Sequence, residues 1–301
     1  MNRRFQTLDV FTERKFTGNP LAVVVDGEGL STDQMQTIAA EFNLAEATFV
    51  SPAENSENDA SVRIFTPKSE LPFAGHPTVG TAIVIAESLE GEGGYSRLVK
   101  LEEQVGLVPV RVTKEAGKPA YAQFTNAKLP EERGGLPSIE AFAAATNVPA
   151  EQIGFDDHEL RMFDVGPSFV HLPVKTIQAV QNAEPDLAAW RQAGFPPELV
   201  GIYLYTRGGE EEGTHWHARM FAPDQGIPED PATGSAVAGF PGQLCASEAL
   251  SDGTHKWTVE QGYEMGRPSQ IYLEADVAGG AVTEIRVGGY ALPVMEGMLN
   301  L

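Results

Sequence analysis

Three ionisable side chains stand in settings where they could do proton chemistry. Glu46 lies in Asn43-Leu44-Ala45-Glu46-Ala47-Thr48-Phe49-Val50, a stretch with little polar company. A carboxylate there would be partly desolvated, its pKa pushed upward toward use as a general base. The alternative is an exposed glutamate at a strand end. His76 and Asp230 each stand directly before a proline, in Gly75-His76-Pro77-Thr78 and in Glu229-Asp230-Pro231-Ala232-Thr233-Gly234-Ser235-Ala236. Both strings read as helix starts, with His76 or Asp230 as N-cap and the proline in the first helical position. The free N–H groups near Gly75 to Thr78 and Ala232 to Ser235, at positive helix ends, would favour a carboxylate. Ser235 and Thr81 add hydroxyl donors. His76 and Asp230 are open to two roles, cap or catalytic group, and a cap can also face a ligand.

Other constellations are weaker. His215-Trp216-His217 puts two imidazoles on one face of a strand, but no third ligand follows, and no metal is expected. Arg63 and Arg219 fit structural salt bridges better than a bound carboxylate. Arg267, in a Gly-Arg-Pro-Ser turn, is placed to close over a ligand. The acidic run Gly208–Gly213 fits no calcium loop and reads as a solvated turn. Gly91-Glu92-Gly93-Gly94 follows a helix rather than a strand, so it is a loop and not a dinucleotide turn; no nucleophile elbow or P-loop is present. The lone cysteine, Cys245, excludes an intrachain disulfide, reads as buried and structural, and points to a reducing compartment.

The elements that must position these groups come in two sets. Arg63-Ile64-Phe65-Thr66-Pro67 matches Arg219-Met220-Phe221-Ala222-Pro223 at an offset of 156 residues, and the His76 and Asp230 strings match at 154. Two matches in register point to two similar domains. Each reads strand, loop, helix: Ala60 to Thr66 and Thr214 to Ala222 alternate like strands. Val79 to Ala86 is apolar on every face, as a helix buried all round would be. In the second copy Gly239-Phe240-Pro241-Gly242 should kink or end the helix early. Ser31 and Gln34 form a capping box for a helix with Met35, Ile38, Ala39 and Phe42 inward, and Asp186 to Ala193 is its counterpart. Short strands are expected at Leu21 to Val25, Phe49 to Ser51, Leu107 to Val112, Ile202 to Thr206, Trp257 to Glu260, Ile271 to Leu273 and Ile285 to Val287, in mostly antiparallel sheets. Lys128 to Pro137 reads as a linker. The expected domains are 1–127 and 128–301, with about 290–301 packing back on the first. The nearest second-half analogue of Glu46 by offset is Glu198, which follows Pro196-Pro197 and should be on the surface.

Length and charge bound the function. The chain has 301 residues, 21 basic against 42 acidic, for a net charge of −21, which excludes a nucleic-acid binder that tracks phosphates. No apolar run approaches the roughly 18 residues of a membrane span, and no signal-peptide pattern follows Arg3 and Arg4. The expectation is a soluble, cytoplasmic protein.

Gly18-Asn19-Pro20-Leu21-Ala22-Val23-Val24, the strings around Glu46, His76 and Asp230, and Gln261-Gly262 with Met265-Gly266-Arg267-Pro268-Ser269 together resemble the PhzF-like, or phenazine biosynthesis-like, isomerase family across essentially the whole chain. The resemblance implies an α+β fold like that of diaminopimelate epimerase. It would have two pseudo-symmetric domains, each a mostly antiparallel sheet wrapped round a central helix, with the active site in the cleft between them and no cofactor. It implies Glu46 as acid/base, His76 and Asp230 as flanking catalytic helpers, and Gly75, Ser235, Gly234 and Thr233 as binders of a small carboxylic acid. A homodimer is also implied. The family usually reads Ser-Glu-Thr where this chain has Ala45-Glu46-Ala47. The epimerase relatives use two opposed thiols, which one cysteine cannot supply. A single carboxylate on one face suits proton return to that face, hence isomerisation. The alternatives are a racemase or epimerase using Glu46 with Asp230 or His76, and a non-catalytic binder of a small acid.

Overall fold

The computed structural model describes residues 2–91 and 93–301; Met1, and Glu92 of the Gly91–Gly94 loop, lie outside the described residues. The chain divides into two compact units, Met1–Thr125 with Gly288–Leu301, and Asn126–Val287. Unit 1 runs β1 (Asn2–Val10), β2 (Asn19–Val24), α1 (Thr32–Phe42), β3 (Glu46–Ser51), β4 (Ala60–Phe65), β5 (Glu70–Leu71), α2 (Gly75–Glu90), β6 (Tyr95–Glu103), β7 (Gly106–Lys114) and β8 (Ala120–Thr125). Unit 2 runs β9 (Glu131–Arg133), α3 (Ile139–Thr146), β10 (Arg161–Asp164), β11 (Ser168–Pro173), α4 (Ile177–Gln181), α5 (Leu187–Gln192), β12 (Leu199–Arg207), β13 (Trp216–Ala222), β14 (Ile227–Asp230), α6 (Gly234–Ser247), β15 (Gly253–Gln261) and β16 (Ser269–Ala278). A long last strand, β17 (Ala281–Asn300), starts in unit 2 and ends in unit 1, where it pairs with β1. This is a mixed α+β fold dominated by sheet.

Strand pairing follows one series in both units. In unit 1, β1–β2 is antiparallel, β2–β3 parallel, β3–β4 and β4–β5 antiparallel, β4–β6 parallel and β6–β7 antiparallel. In unit 2 the same order of senses joins β10–β11, β11–β12, β12–β13, β13–β14, β13–β15 and β15–β16. The sheets are therefore mostly antiparallel, with one parallel pair wherever a helix-bearing connection crosses over.

Each unit has a helix that its sequence explains. Ser31 and Gln34 close the expected capping box on α1, whose Met35, Ile38 and Ala39 pack on Ala22, Val24, Ala47, Phe49 and Phe65. Asp186 caps α5 by accepting from the Ala188 and Ala189 amides. Helix α2 is buried on all sides from Val79 to Ala86, as its apolar run requires.

Helix α6 departs from expectation by running through Pro241 to Ser247. Packing holds it. His171 Nε2 donates to the Ala236 carbonyl at 2.9 Å, and its ring stacks on Phe240. The glycines serve close approach rather than a break: a Cβ on Gly242 would lie 2.7 Å from Pro130 Cβ, and one on Gly239 2.8 Å from His171 Cε1. Tertiary burial thus offsets the roughly 3 kcal/mol that an interior proline costs. Lys128 to Pro137 is not wholly irregular, since it contains β9, which pairs with β10.

Candidate active site

Glu46 is the first residue of β3, and the parallel register sets it opposite Leu21 of β2. Helix α2 lies hard against that same pair of strands. A Cβ on Gly80 would come within 2.6 Å of Leu21 Cδ2 and 2.9 Å of Val10 Cγ2, so only glycine lets the helix approach this closely. His76 stands one turn before Gly80 and is thereby brought to Glu46: Nε2 and Oε2 are 3.3 Å apart, both side chains buried. Burial pushes the His76 pKa down to about 3, so the imidazole is neutral across the physiological range. A buried carboxyl in contact with a neutral imidazole is a pair that can exchange one proton. Beneath it, the Thr48 and Thr81 hydroxyls share a buried hydrogen bond of 2.8 Å.

His76 is not the cap of α2. The helix starts at Gly75 with Ala74 as N-cap and no side-chain cap bond, which places His76 and Pro77 inside the first turn. Proline is tolerated there because its missing N–H has no partner to lose. The amides of Gly75 and His76 lie in that turn, where helical geometry supplies no intrahelical acceptor.

In unit 2, Asp230 is not a cap either. It ends β14, and α6 begins only at Gly234, with Thr233 as N-cap. The cause is Gln261, the buried last residue of β15. Its Nε2 donates to the Asp230 carbonyl at 2.7 Å and to Thr233 Oγ1 at 2.9 Å, and its Oε1 accepts from the Thr233 amide at 3.1 Å. Thr233 Oγ1 then donates to Asp230 Oδ2 at 2.6 Å. This network takes the carbonyl that an earlier helical turn would need. Asp230 and Thr233 are buried, as is Gly234, the first residue of α6; Ser235 follows half-buried. Gly262 locks the next turn, since at φ +80° a Cβ would sit 2.6 Å from the Pro231 carbonyl oxygen.

Two residues of consequence were not singled out from the sequence: Gln261 as an organiser, and Glu103, which meets Thr78 of α2. The Gln261-Gly262 pair beside the family motif was the available signal; for Glu103, one of 42 acidic residues, there was none.

The remaining expected groups resolve as structural. Arg63 forks onto Glu70 (2.6 Å to each oxygen) and Arg219 onto Glu229 (2.8 and 2.9 Å). His215 and His217 have different surroundings: His215 precedes the strand and is exposed, while His217 is fully buried between Glu260 (2.5 Å) and Glu264 (2.8 Å). Burial opposes its charge, but the two carboxylates outweigh that and raise its pKa to about 9. In the acidic loop, the Glu210 and Glu211 amides donate to Glu260. Cys245 is half-buried, its thiol pKa raised by burial. Glu198 is exposed, and the register equates Glu46 instead with Gly201. Ala47 pairs with Phe65 as Ile202 pairs with Phe221, which places each preceding residue in the same position. No described helix is long and apolar enough to cross a membrane.

Residues 8–297 match the family described as phenazine biosynthesis-like protein. The chain is 42% identical over 300 residues to an uncharacterised isomerase of Mesorhizobium japonicum, covering 99% of this chain and 98% of the other. It is 34% identical to trans-2,3-dihydro-3-hydroxyanthranilate isomerase of Pseudomonas aeruginosa, covering 99% of both chains. The crystal structure of a PhzF-family protein from Bacillus anthracis superposes with a TM-score of 0.89 over the full length of both chains, at 23% identity. On this evidence the chain belongs to the phenazine biosynthesis-like family of isomerases.

Proposed function

We propose that the protein moves a proton between carbons of a small unsaturated amino- or hydroxy-carboxylic acid, with Glu46 as the acid/base and no cofactor. Glu46 removes a proton from one carbon, so a C–H bond breaks and a carboxyl O–H forms. The electron pair spreads along the adjacent double bond. The same proton, or its exchanged successor, then returns to another carbon on the same face while the double bond shifts. His76, neutral and touching Glu46, holds or relays that proton. The Gly75 amide and the Gly234 and Ser235 amides take the substrate carboxylate, and Asp230, backed by Thr233, takes an amino or hydroxyl group.

The observation that carries the reading is the 3.3 Å contact between buried Glu46 and His76 at the start of the buried helix. The 34%-identical relative names the first acid to assay, trans-2,3-dihydro-3-hydroxyanthranilate. Incubated with the protein in heavy water and followed by proton NMR, it should give a product with a shifted double bond and at most one deuterium at the accepting carbon. Inversion of a stereocentre with the double bond unmoved would overturn the isomerase reading in favour of an epimerase.

A further inference from the structure

Glu103, the last residue of β6, is buried, and one of its oxygens meets the first turn of α2. Thr78 Oγ1 lies 2.8 Å from Glu103 Oε1 and 2.8 Å from the Ala74 carbonyl. A threonine hydroxyl has one proton, and a carbonyl can only accept. Both contacts are satisfied together only if Thr78 donates to Ala74 and Glu103 carries a proton that it donates to Thr78. Glu103 Oε2 is buried with no hydrogen-bond partner among the described residues, as suits a neutral acid and not a carboxylate.

Unit 2 has a comparable relay, with a group that cannot ionise at the position of Glu103. Gln261 lies two residues beyond the Trp216–Val259 pair, as Glu103 lies two beyond the Ala60–Leu101 pair. The residues before them also correspond: Glu102 accepts from the Glu54 and Asn55 amides, and Glu260 from the Glu210 and Glu211 amides. Gln261 donates to Thr233, which donates onward to Asp230; in unit 1 Thr78 likewise stands between Glu103 and the carbonyl of Ala74, the N-cap of α2.

We propose that Glu103 is a positioning residue that works only as a neutral acid. Its proton seats Thr78 and hence the helix turn carrying His76, and losing that proton turns the enzyme off at alkaline pH. Ionised Glu103 would draw the Thr78 proton to itself and leave the Ala74 carbonyl without its side-chain donor. Burial holds the Glu103 pKa up at about 8, Thr78 lowering it in part. The neighbouring charges do not offset this. On β6, Arg97 is bound to Asp59 and Glu90, and Glu102 holds the 54–58 loop; Lys100 reaches the Glu57 carbonyl. On β4, Arg63 is bound to Glu70; on β7, Lys114 is bound to Glu87 of α2, and Arg111 is exposed. His76 and Glu46 are the remaining titratable groups of this end of α2 and β3.

The activity arm of the test rests on the proposed function; the other arms do not. The wild-type kcat/KM on trans-2,3-dihydro-3-hydroxyanthranilate should fall at least about tenfold between pH 7 and 9.5. Glu103→Gln, which can still donate to Thr78, should be active at pH 7 and lose no more than about threefold over that range. An alkaline limb unchanged in Glu103→Gln, or a folded but inactive Glu103→Gln, overturns the proposal. Should the acid not be a substrate at all, the melting temperature decides. The folded-state pKa is raised, so this stability is full below about 4.5 and lost as pH rises through about 8. Wild type should therefore lose Tm between pH 5 and 9 relative to Glu103→Gln, and parallel curves overturn the inference. If Glu103→Gln does not fold, carboxyl carbon-13 NMR of Glu46→Gln should still show one glutamic acid protonated at pH 7, and its absence contradicts the proposal.

Discussion

The two halves carry nearly the same string at their central helices and use it differently. In unit 1, Gly75-His76-Pro77-Thr78 is already helix; in unit 2, Asp230-Pro231-Ala232-Thr233 lies outside it. The cause is one residue at the end of a neighbouring strand. Gln261 claims the Asp230 carbonyl and the Thr233 amide, whereas Glu103 reaches only a side chain, Thr78, and leaves the backbone free to coil. A difference in hydrogen-bond partner, not in local propensity, sets where each helix begins. It also sets what each half presents: a buried imidazole on a helix turn in one, a carboxylate held by a threonine in the other.

The asymmetry extends to the strand beside the helix. Glu46 opens β3, and its register equivalent Gly201 has no side chain and no room for one, since a Cβ would lie 2.7 Å from the Phe221 carbonyl oxygen and 2.9 Å from Met220 Sδ. Only unit 1 therefore has an acid at this position.

Two substitutions in paired positions sharpen the comparison. Arg219 and Arg63 both fork onto a glutamate and lie over a phenylalanine, but Arg219 also donates to the Val180, Gln181 and Ala183 carbonyls and its side chain is 7% exposed against 32%. Arg219→Met should cost about 3–5 kcal/mol in denaturant unfolding because it leaves buried acceptors and Glu229 unpaired. Arg63→Met should cost about 1 kcal/mol or less. Equal costs would mean that the two arginines do the same work. Gly201→Ala should cost about 1–3 kcal/mol through overpacking against backbone; a neutral result would show that glycine is not required at the unit 2 equivalent of Glu46.

Much of this was legible in the sequence, and what was not has physical reasons. Capping boxes and turn residues are local, so Ser31–Gln34 and Asp186 read correctly, as did the apolar run of α2. The helix start at Asp230 was misread because the group that decides it, Gln261, lies about thirty residues along the chain. The end of α6 was misread because proline's local penalty is outweighed by packing from His171, which donates to Ala236 and stacks on Phe240. Glu198 was the wrong counterpart of Glu46 because it was picked as the nearest glutamate, at 152 residues, whereas the strand register puts a glycine at 155, between the motif offsets of 154 and 156. That Glu46 touches His76 could not be read at all; it follows from Gly80 admitting α2 against Leu21.

The central claim is that one carboxyl, present in one unit and replaced by glycine in the other, carries the proton. Glu46→Gln keeps the volume of the side chain and removes its acid, so the direct measurement is its turnover of trans-2,3-dihydro-3-hydroxyanthranilate at a pH where its circular dichroism and Tm match wild type. A fall in kcat of about 10³-fold is the expected result, in the range that a positioned acid/base contributes. A folded Glu46→Gln enzyme within about tenfold of wild type would contradict the account.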